Sequence, residues 1–361
     1  MIEAPIYHIV GGGLSGVACA YFLKKYNPQV YSVVYEARPY LGGRSHSQFD
    51  DEWNINLNNY LHTICKSDHY MSQFVSDTEW RHNIFFVNMK DMSGSSSLPD
   101  NLDIVRNKIC NCRNSDIAPQ ISKYLNKKFD NRHLKNQGFF AFNQDFTQRV
   151  INVYAAYANE LHCGCCLSKL NIRQNNVTSL YFGNRKVKLN QGDKIILAMD
   201  NASTAKFLGL TPLPANSSVD IAYYTSQTIF LPQGVSFVGM RNGVADWLYS
   251  ASNIISAQIC DYQHQFTTLD KLALYVWDEI SRIRGVNSAF IPSYRINENA
   301  DATLLHTAQV NSMRPQSAST KYGNVFICGD WTMKNYPCTL ETAVLSARRA
   351  VKTSLKQRIK K

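Results

Sequence analysis

Gly11, Gly12, Gly13, Leu14, Ser15 and Gly16 give the spacing G-x-G-x-x-G, and an acidic residue, Glu36, stands where the next strand should end. This is chemistry of binding rather than of bond making. The first glycine allows a tight turn, the second lets main chain approach a pyrophosphate, and the third lets a helix lie close to a strand. The helix N-terminus then faces the negative charge. Glu36 accepts hydrogen bonds from ribose hydroxyls, with Ala37 and Arg38 beside it, and its charge would repel a 2′-phosphate. A dinucleotide other than NADP is therefore expected, and the glycines alone do not separate NAD from FAD.

Two further segments bear on that choice. Leu41-Gly42-Gly43-Arg44 resembles the second glycine motif of the flavin amine oxidase and phytoene desaturase superfamily, where such a loop and its Arg lie along the cofactor. Val325 to Thr332, with Gly329 and Asp330, followed by Tyr336 to Ala343, with Pro337, Thr339 and Leu340, resembles that superfamily's C-terminal flavin motif. The resemblance implies that Asp330 reaches the ribityl and pyrophosphate region. A helix beginning near Thr339 would aim its N-terminus at the isoalloxazine and stabilise the N1/C2 carbonyl region of reduced flavin. Non-covalent FAD is the expected cofactor.

Within the superfamily the chain is similar to the hydroxysqualene dehydroxylase family, also described as squalene-associated FAD-dependent desaturases. The similarity includes Asn54 to Asn59 and Ala245 to Ala257, and excludes residues about 65 to 140. It implies reductive dehydroxylation of hydroxysqualene to squalene, with a lipophilic isoprenoid as partner, in hopanoid or sterol-like lipid synthesis. Asn56 and Asn58 depart from the family pattern, and the middle of the chain is shorter. Two rivals follow: an amine oxidase or carotenoid desaturase on the same flavin clasp, and a non-catalytic flavin-fold protein that binds a lipid or a pathway partner. No catalytic group is assigned. His62 is a candidate proton donor and Asp246 a further catalytic candidate with no role assigned, His62 being also readable as a structural histidine.

The elements that must position these residues form a Rossmann-like α/β unit. Ile6 to Val10 reads as a strand, Ser15 to Lys25 as a helix and Val30 to Tyr35 as a strand, which together make a βαβ unit and begin a parallel sheet. Further helices are expected at Ile117 to Phe129, Phe146 to Leu161, Leu269 to Arg284 and Thr339 to Leu355. Short strands at Val177 to Phe182, Lys186 to Leu189 and Lys194 to Ala198 suggest a meander returning to a core strand. Tyr223 to Leu231, Val235 to Met240, Asp246 to Ser250 and Ile254 to Cys260 suggest a mostly antiparallel sheet in an inserted α+β substrate domain. The expected division is a discontinuous FAD-binding domain of 1–60, 150–207 and 305–361, with 61–149 and 208–304 as substrate domain.

Length and composition agree with two domains. The chain has 361 residues, 45% hydrophobic and 18% charged, which is ordinary globular usage. No run reaches the roughly 18 apolar residues of a spanning helix. The segment before the glycines offers no signal pattern, so a cytoplasmic location is expected. Ten cysteines read as free thiols, and no paired C-x-x-C spacing suggests a metal. The net charge of +11 is concentrated in Arg348, Arg349, Lys352, Lys356, Arg358, Lys360 and Lys361. That tail reads first as a solvated helix end, and second as a peripheral contact with anionic membrane. Nucleic acid is not expected, because no basic stripe with interleaved aromatics occurs.

Overall fold

The computed structural model describes residues 5–58, 63–76, 84–95, 103–112, 117–128, 139–141, 146–225, 231, 235, 237–251, 253–262 and 265–357. Two compact units emerge. One comprises Met1–His46, Phe146–Leu213 and Val310–Lys361, and the other Ser47–Asp145 and Pro214–Gln309.

The first unit is built on a five-stranded parallel sheet in the order Val325–Ile327, Lys194–Leu197, Ile6–Val10, Tyr31–Tyr35, Glu160–His162. Its strands are near-continuous apolar runs because helices cover the sheet; Ile9, Val34, Ile195, Ile196 and Phe326 are fully buried. The helix Leu14–Tyr26 packs against both Phe146–Ala155 and Leu340–Lys356, so it is buried around most of its circumference. Cys19 on this helix meets Cys328 at 3.5 Å as a free thiol, and burial pushes the Cys19 thiol up. A three-stranded antiparallel meander, Leu167–Arg173, Asn176–Phe182 and Arg185–Lys188, stacks Phe182 on Tyr35 at 4.5 Å between ring centroids.

Two sequence expectations change here. The helix anticipated from Phe146 to Leu161 stops at Ala155, and Glu160–His162 is the fifth parallel strand. Asn159 begins that pairing: its N–H donates to the Ser32 carbonyl, and its side-chain oxygen accepts from the Ser32 N–H, both at 3.0 Å. The meander also begins one strand earlier than expected, with Leu167–Arg173.

The second unit carries a seven-stranded sheet in the order Ser293–Leu304, Ala215–Tyr224, Ile254–Cys260, Trp247–Ala251, Phe237–Arg241, Ile84–Asn88, Gly94–Ser95. Only the Phe237–Arg241 and Ile84–Asn88 pair is parallel. Along Ala215–Tyr224 the apolar Val219, Ile221 and Tyr223 face one way, against Leu272, Val276, Trp277 and Ile280 of the helix Leu269–Arg284. That helix is well bounded. Thr268 caps its start by accepting from the Lys271 N–H, and Gly285 closes it at φ 66°. Glu279, buried on the same helix, accepts from the N–H groups of Val244 and Ala245 at 2.7 and 3.0 Å. On the opposite face, Phe86, Phe237 and Trp247 pack beneath Ile104, Val105, Ile121 and Leu125 of the helices Asp103–Cys110 and Pro119–Lys128.

The strand expected at Tyr223 to Leu231 is Ala215–Tyr224, and residues 226–230 lie outside the described residues. The edge strand Ser293–Leu304 was not anticipated, because pairing on one side only leaves it polar and half-exposed. Residues 47–58, placed with the nucleotide domain on sequence, belong to the second unit. Their hairpin is fastened there by Asp50 to Arg295 at 2.7 Å and by the Trp53 indole N–H to Ser293 at 3.1 Å. Trp277 packs on Tyr223 with ring centroids 5.3 Å apart, and its indole nitrogen has no hydrogen-bond partner among the described residues. Trp277→Ala is therefore expected to cost about 3–5 kcal/mol in chemical denaturation, and Trp277→Phe clearly less, since only packing is lost.

Candidate cofactor site

The strands Ile6–Val10, Tyr31–Tyr35, Lys194–Leu197 and Val325–Ile327 lie parallel, so their carboxyl ends gather at one edge, where ligands of open α/β sheets bind. Gly11 turns the chain at φ 110°, and a Cβ there would lie 2.5 Å from the Ala198 carbonyl oxygen. A Cβ on Gly16 would lie 1.9 Å from the Gly11 oxygen, so helix and turn can approach only if position 16 has no side chain. No side chain caps the helix Leu14–Tyr26 at Gly13. By contrast, Asp200, Thr268 and Thr339 all cap theirs. The amide groups at Leu14 and Ser15 thus open a helix whose N-terminal cap is left to a ligand.

The second glycine motif is brought onto the first. The Gly42 N–H donates to the Gly12 oxygen at 3.0 Å, and Gly13 and Gly42 form a parallel bridge. Gly42 and Gly43 both have positive φ. Glu36 is buried, with one carboxylate oxygen accepting from the Gly12 N–H at 2.7 Å and the other from the Arg38 N–H at 2.8 Å. Ala37 and Arg38 follow it at the surface.

Arg44 reaches across to the far end of the chain and pairs with Asp330 at 2.7 Å; Asp330 is almost fully buried and Arg44 is partly exposed. Gly329 has φ 138°, donates to the Ser346 hydroxyl at 2.9 Å, and leads into the short turn Asp330–Thr332. Pro337 is buried ahead of Thr339, whose hydroxyl accepts from the Thr342 N–H at 3.2 Å and starts the helix Leu340–Lys356. Every sequence-proposed cofactor residue thus falls in the first unit.

The catalytic candidates have other surroundings. His62 lies outside the described residues. Asp246 is in the second unit, where its carboxylate accepts from the Cys260 N–H at 2.8 Å and its main chain bonds Met240 and Gln258. It lies near buried Lys108, which donates to Gln258 and whose pKa is lowered by burial. Sequence reasoning missed Ala198 and Met199, the backbone floor under Gly11, with the Met199 carbonyl accepting from the Trp331 indole N–H at 3.1 Å. Their position directly after the strand Lys194–Leu197 was the available signal. It also missed buried Arg314, whose acceptors are main-chain carbonyls and a thiol and so leave no sequence pattern.

These residues fit a dinucleotide: an uncapped helix for pyrophosphate, a buried carboxylate for ribose, and no nearer heavy atom than 4.0 Å from a Cβ placed on Gly13. Gly16→Ala should abolish retention of a flavin through purification, read as loss of visible absorbance. Glu36→Ala removes the ribose acceptor and strands the Gly12 N–H. It should weaken FAD binding by about tenfold to a hundredfold in equilibrium dialysis, matching the roughly 1–3 kcal/mol cost of an unsatisfied buried donor.

Comparison with known proteins agrees with this geometry. The family model described as NAD(P)-binding Rossmann-like domain matches residues 9–78, and that described as flavin containing amine oxidoreductase matches residues 255–353. A hydroxysqualene dehydroxylase of Zymomonas mobilis is 22% identical over 97% of this chain and 99% of its own length. One from Rhodopseudomonas palustris is 31% identical over 48% of this chain and 41% of its own. The crystal structure of an oxidoreductase from Methanosarcina mazei superposes with a TM-score of 0.66 at 12% identity, covering 97% of this chain and all of that one, which shows a shared fold. The chain is thus similar to flavin-containing amine oxidoreductases and, over nearly its whole length, to a hydroxysqualene dehydroxylase, and it is an FAD-dependent oxidoreductase.

Proposed function

We propose that this enzyme reductively removes the hydroxyl of hydroxysqualene to give squalene. The observation that carries the reading is the end-to-end similarity to a hydroxysqualene dehydroxylase, together with a flavin clasp made by both ends of the chain. FAD held by these residues would, when reduced, supply hydride chemistry, so that hydroxysqualene, two electrons and two protons would give squalene and water as the allylic C–O bond is exchanged for C–H.

The chain's own residues bind and orient. Gly11 to Gly16 and Glu36 would hold the phosphate and ribose end, Arg44 and Asp330 the ribityl and pyrophosphate stretch, and the helix beginning at Thr339 would face the redox end. The second unit, with apolar clusters on both sides of its sheet, is assigned the hydrocarbon. Among the described residues no helix is long and apolar enough to cross a membrane.

We assign peripheral contact with anionic lipid to the exposed Lys352 and Lys356 rather than to the whole basic tail. Arg348 bonds the Tyr26 hydroxyl and Arg349 the Thr332 carbonyl, and residues 358–361 lie outside the described residues. The double variant Lys352→Glu, Lys356→Glu should cosediment severalfold less with phosphatidylserine-containing vesicles at low salt; unchanged cosedimentation overturns this contact. For the reaction itself, flavin-loaded protein is reduced anaerobically and hydroxysqualene is added. Flavin reoxidation with about one squalene formed per flavin is expected. Substrate recovered unchanged overturns the assignment, and peroxide release with amines under oxygen favours an oxidase instead.

A further inference from the structure

The segment from Gly329 to Thr339 is held by the buried guanidinium of Arg314 and the partly buried one of Arg349, neither of which has a carboxylate partner among the described residues. Arg314 is 1% exposed. Its Nη1 donates to the carbonyls of Met333 at 3.1 Å and Tyr336 at 2.7 Å, its Nη2 donates to the Cys338 thiol at 3.5 Å, and its Nε has no partner. Arg349 donates from Nη2 to the Thr332 carbonyl at 2.9 Å, and its Nε also lacks a partner. Asn311 adds a bond to the Asn335 N–H at 2.8 Å. The turn is thus fixed at the carbonyls of Thr332, Met333 and Tyr336 ahead of the cap at Thr339.

Fixing carbonyls does not require a charge, and burying one is costly. A cation withdrawn from water is stable only where its charge is compensated, and carbonyl dipoles compensate it in part. Two carboxylates belong to the same segment: Asp330, held by Arg44, and Glu341, buried in the first helical turn. No ion pair joins either of them to Arg314 or Arg349 among the described residues. Among the described residues that hold this segment, the guanidinium groups of Arg44, Arg314 and Arg349 stand against the carboxylates of Asp330 and Glu341, an excess of positive charge before a ligand is bound. In a site of low dielectric, that excess acts strongly on any anion placed beside it. Reducing a flavin by two electrons offers such an anion, because the N1–C2 carbonyl region can give up its proton.

We propose that Arg314 is a positioning residue that also serves as counter-charge for the reduced cofactor: it holds the turn Met333–Cys338 and favours anionic over neutral reduced flavin. The proposal rests on FAD lying in the clasp as read above, and is independent of which substrate is reduced. Stabilising the reduced anion raises the tendency of the bound flavin to accept electrons.

The test uses flavin-loaded protein titrated anaerobically against a redox dye. Arg314→Met should lower the ratio of reduced to oxidised flavin at a fixed poise at least tenfold, about 30 mV for a two-electron couple. Arg314→Lys, which keeps the charge, should stay within threefold of the wild type. In the wild type, the anionic reduced spectrum should persist at a pH where free reduced FAD in the same buffer has become protonated. Arg314→Met should return towards the behaviour of free flavin. A wild-type spectrum that follows free FAD overturns the proposal without any variant, so failure of Arg314→Met to load flavin does not protect it. An Arg314→Met protein with wild-type ratio and spectrum overturns it equally. Wild-type protein that carries no flavin at all strikes the clasp itself rather than Arg314.

Discussion

The structure of the first unit depends on one close approach, between the helix Leu14–Tyr26 and the turn that precedes it. With no side chain on Gly16, the helix settles against the Gly11 carbonyl and Ala198. That contact places an uncapped helix N-terminus at the carboxyl end of the sheet. It also brings Cys19 against Cys328 and the C-terminal helix, so the same approach that makes room for phosphate joins the first and last strands of the unit. Anything larger than hydrogen at position 16 would separate the layers that everything else uses as a frame.

From that frame the division of labour follows. Glu36 and the two glycine turns present main-chain donors and one carboxylate, which suits a neutral sugar and a negative pyrophosphate. The opposite end of the clasp is held by guanidinium groups and a helix terminus, which suits a group that gains electrons. The second unit is built for a different content. Its seven-stranded sheet instead buries apolar side chains on both faces, interrupted by the polar group around Lys108, Gln258 and Asp246.

What could be read from the sequence is what is enforced locally. Gly11, Gly13, Gly16 and Glu36 stand in a fixed order along a single strand, turn and strand, so their geometry is written in their spacing. Asp330 and Thr339 were proposed instead from a resemblance to a C-terminal flavin motif, and they stand at a strand end and a helix start. The helix Leu269–Arg284 was found to the residue because both of its boundaries are chemical, a threonine cap and a left-handed glycine. Other features depend on partners far along the chain. Glu160–His162 is a strand only because Tyr31–Tyr35 offers it an edge, and Ser293–Leu304 is polar because it has a neighbour on one side only. The hairpin at Ser47–Asn58 joins the second unit through Arg295, which nothing near residue 50 announces. Arg314 was invisible because carbonyl acceptors have no residue type.

The pairing of Arg44 with Asp330 spans 286 positions of sequence, and this separation bears on how the protein is made. At about 5–20 residues per second, roughly 15–60 s pass between synthesis of the first half of the nucleotide cradle and arrival of the second. In the later part of that interval, once Lys194–Leu197 has been made, that strand lacks its neighbour Val325–Ile327 and shows an unpaired edge of buried-type residues, the kind of surface on which nascent chains aggregate. The cofactor can be gripped only when that edge has been closed, so acquisition of flavin marks the moment at which the newborn chain ceases to be a hazard to its neighbours.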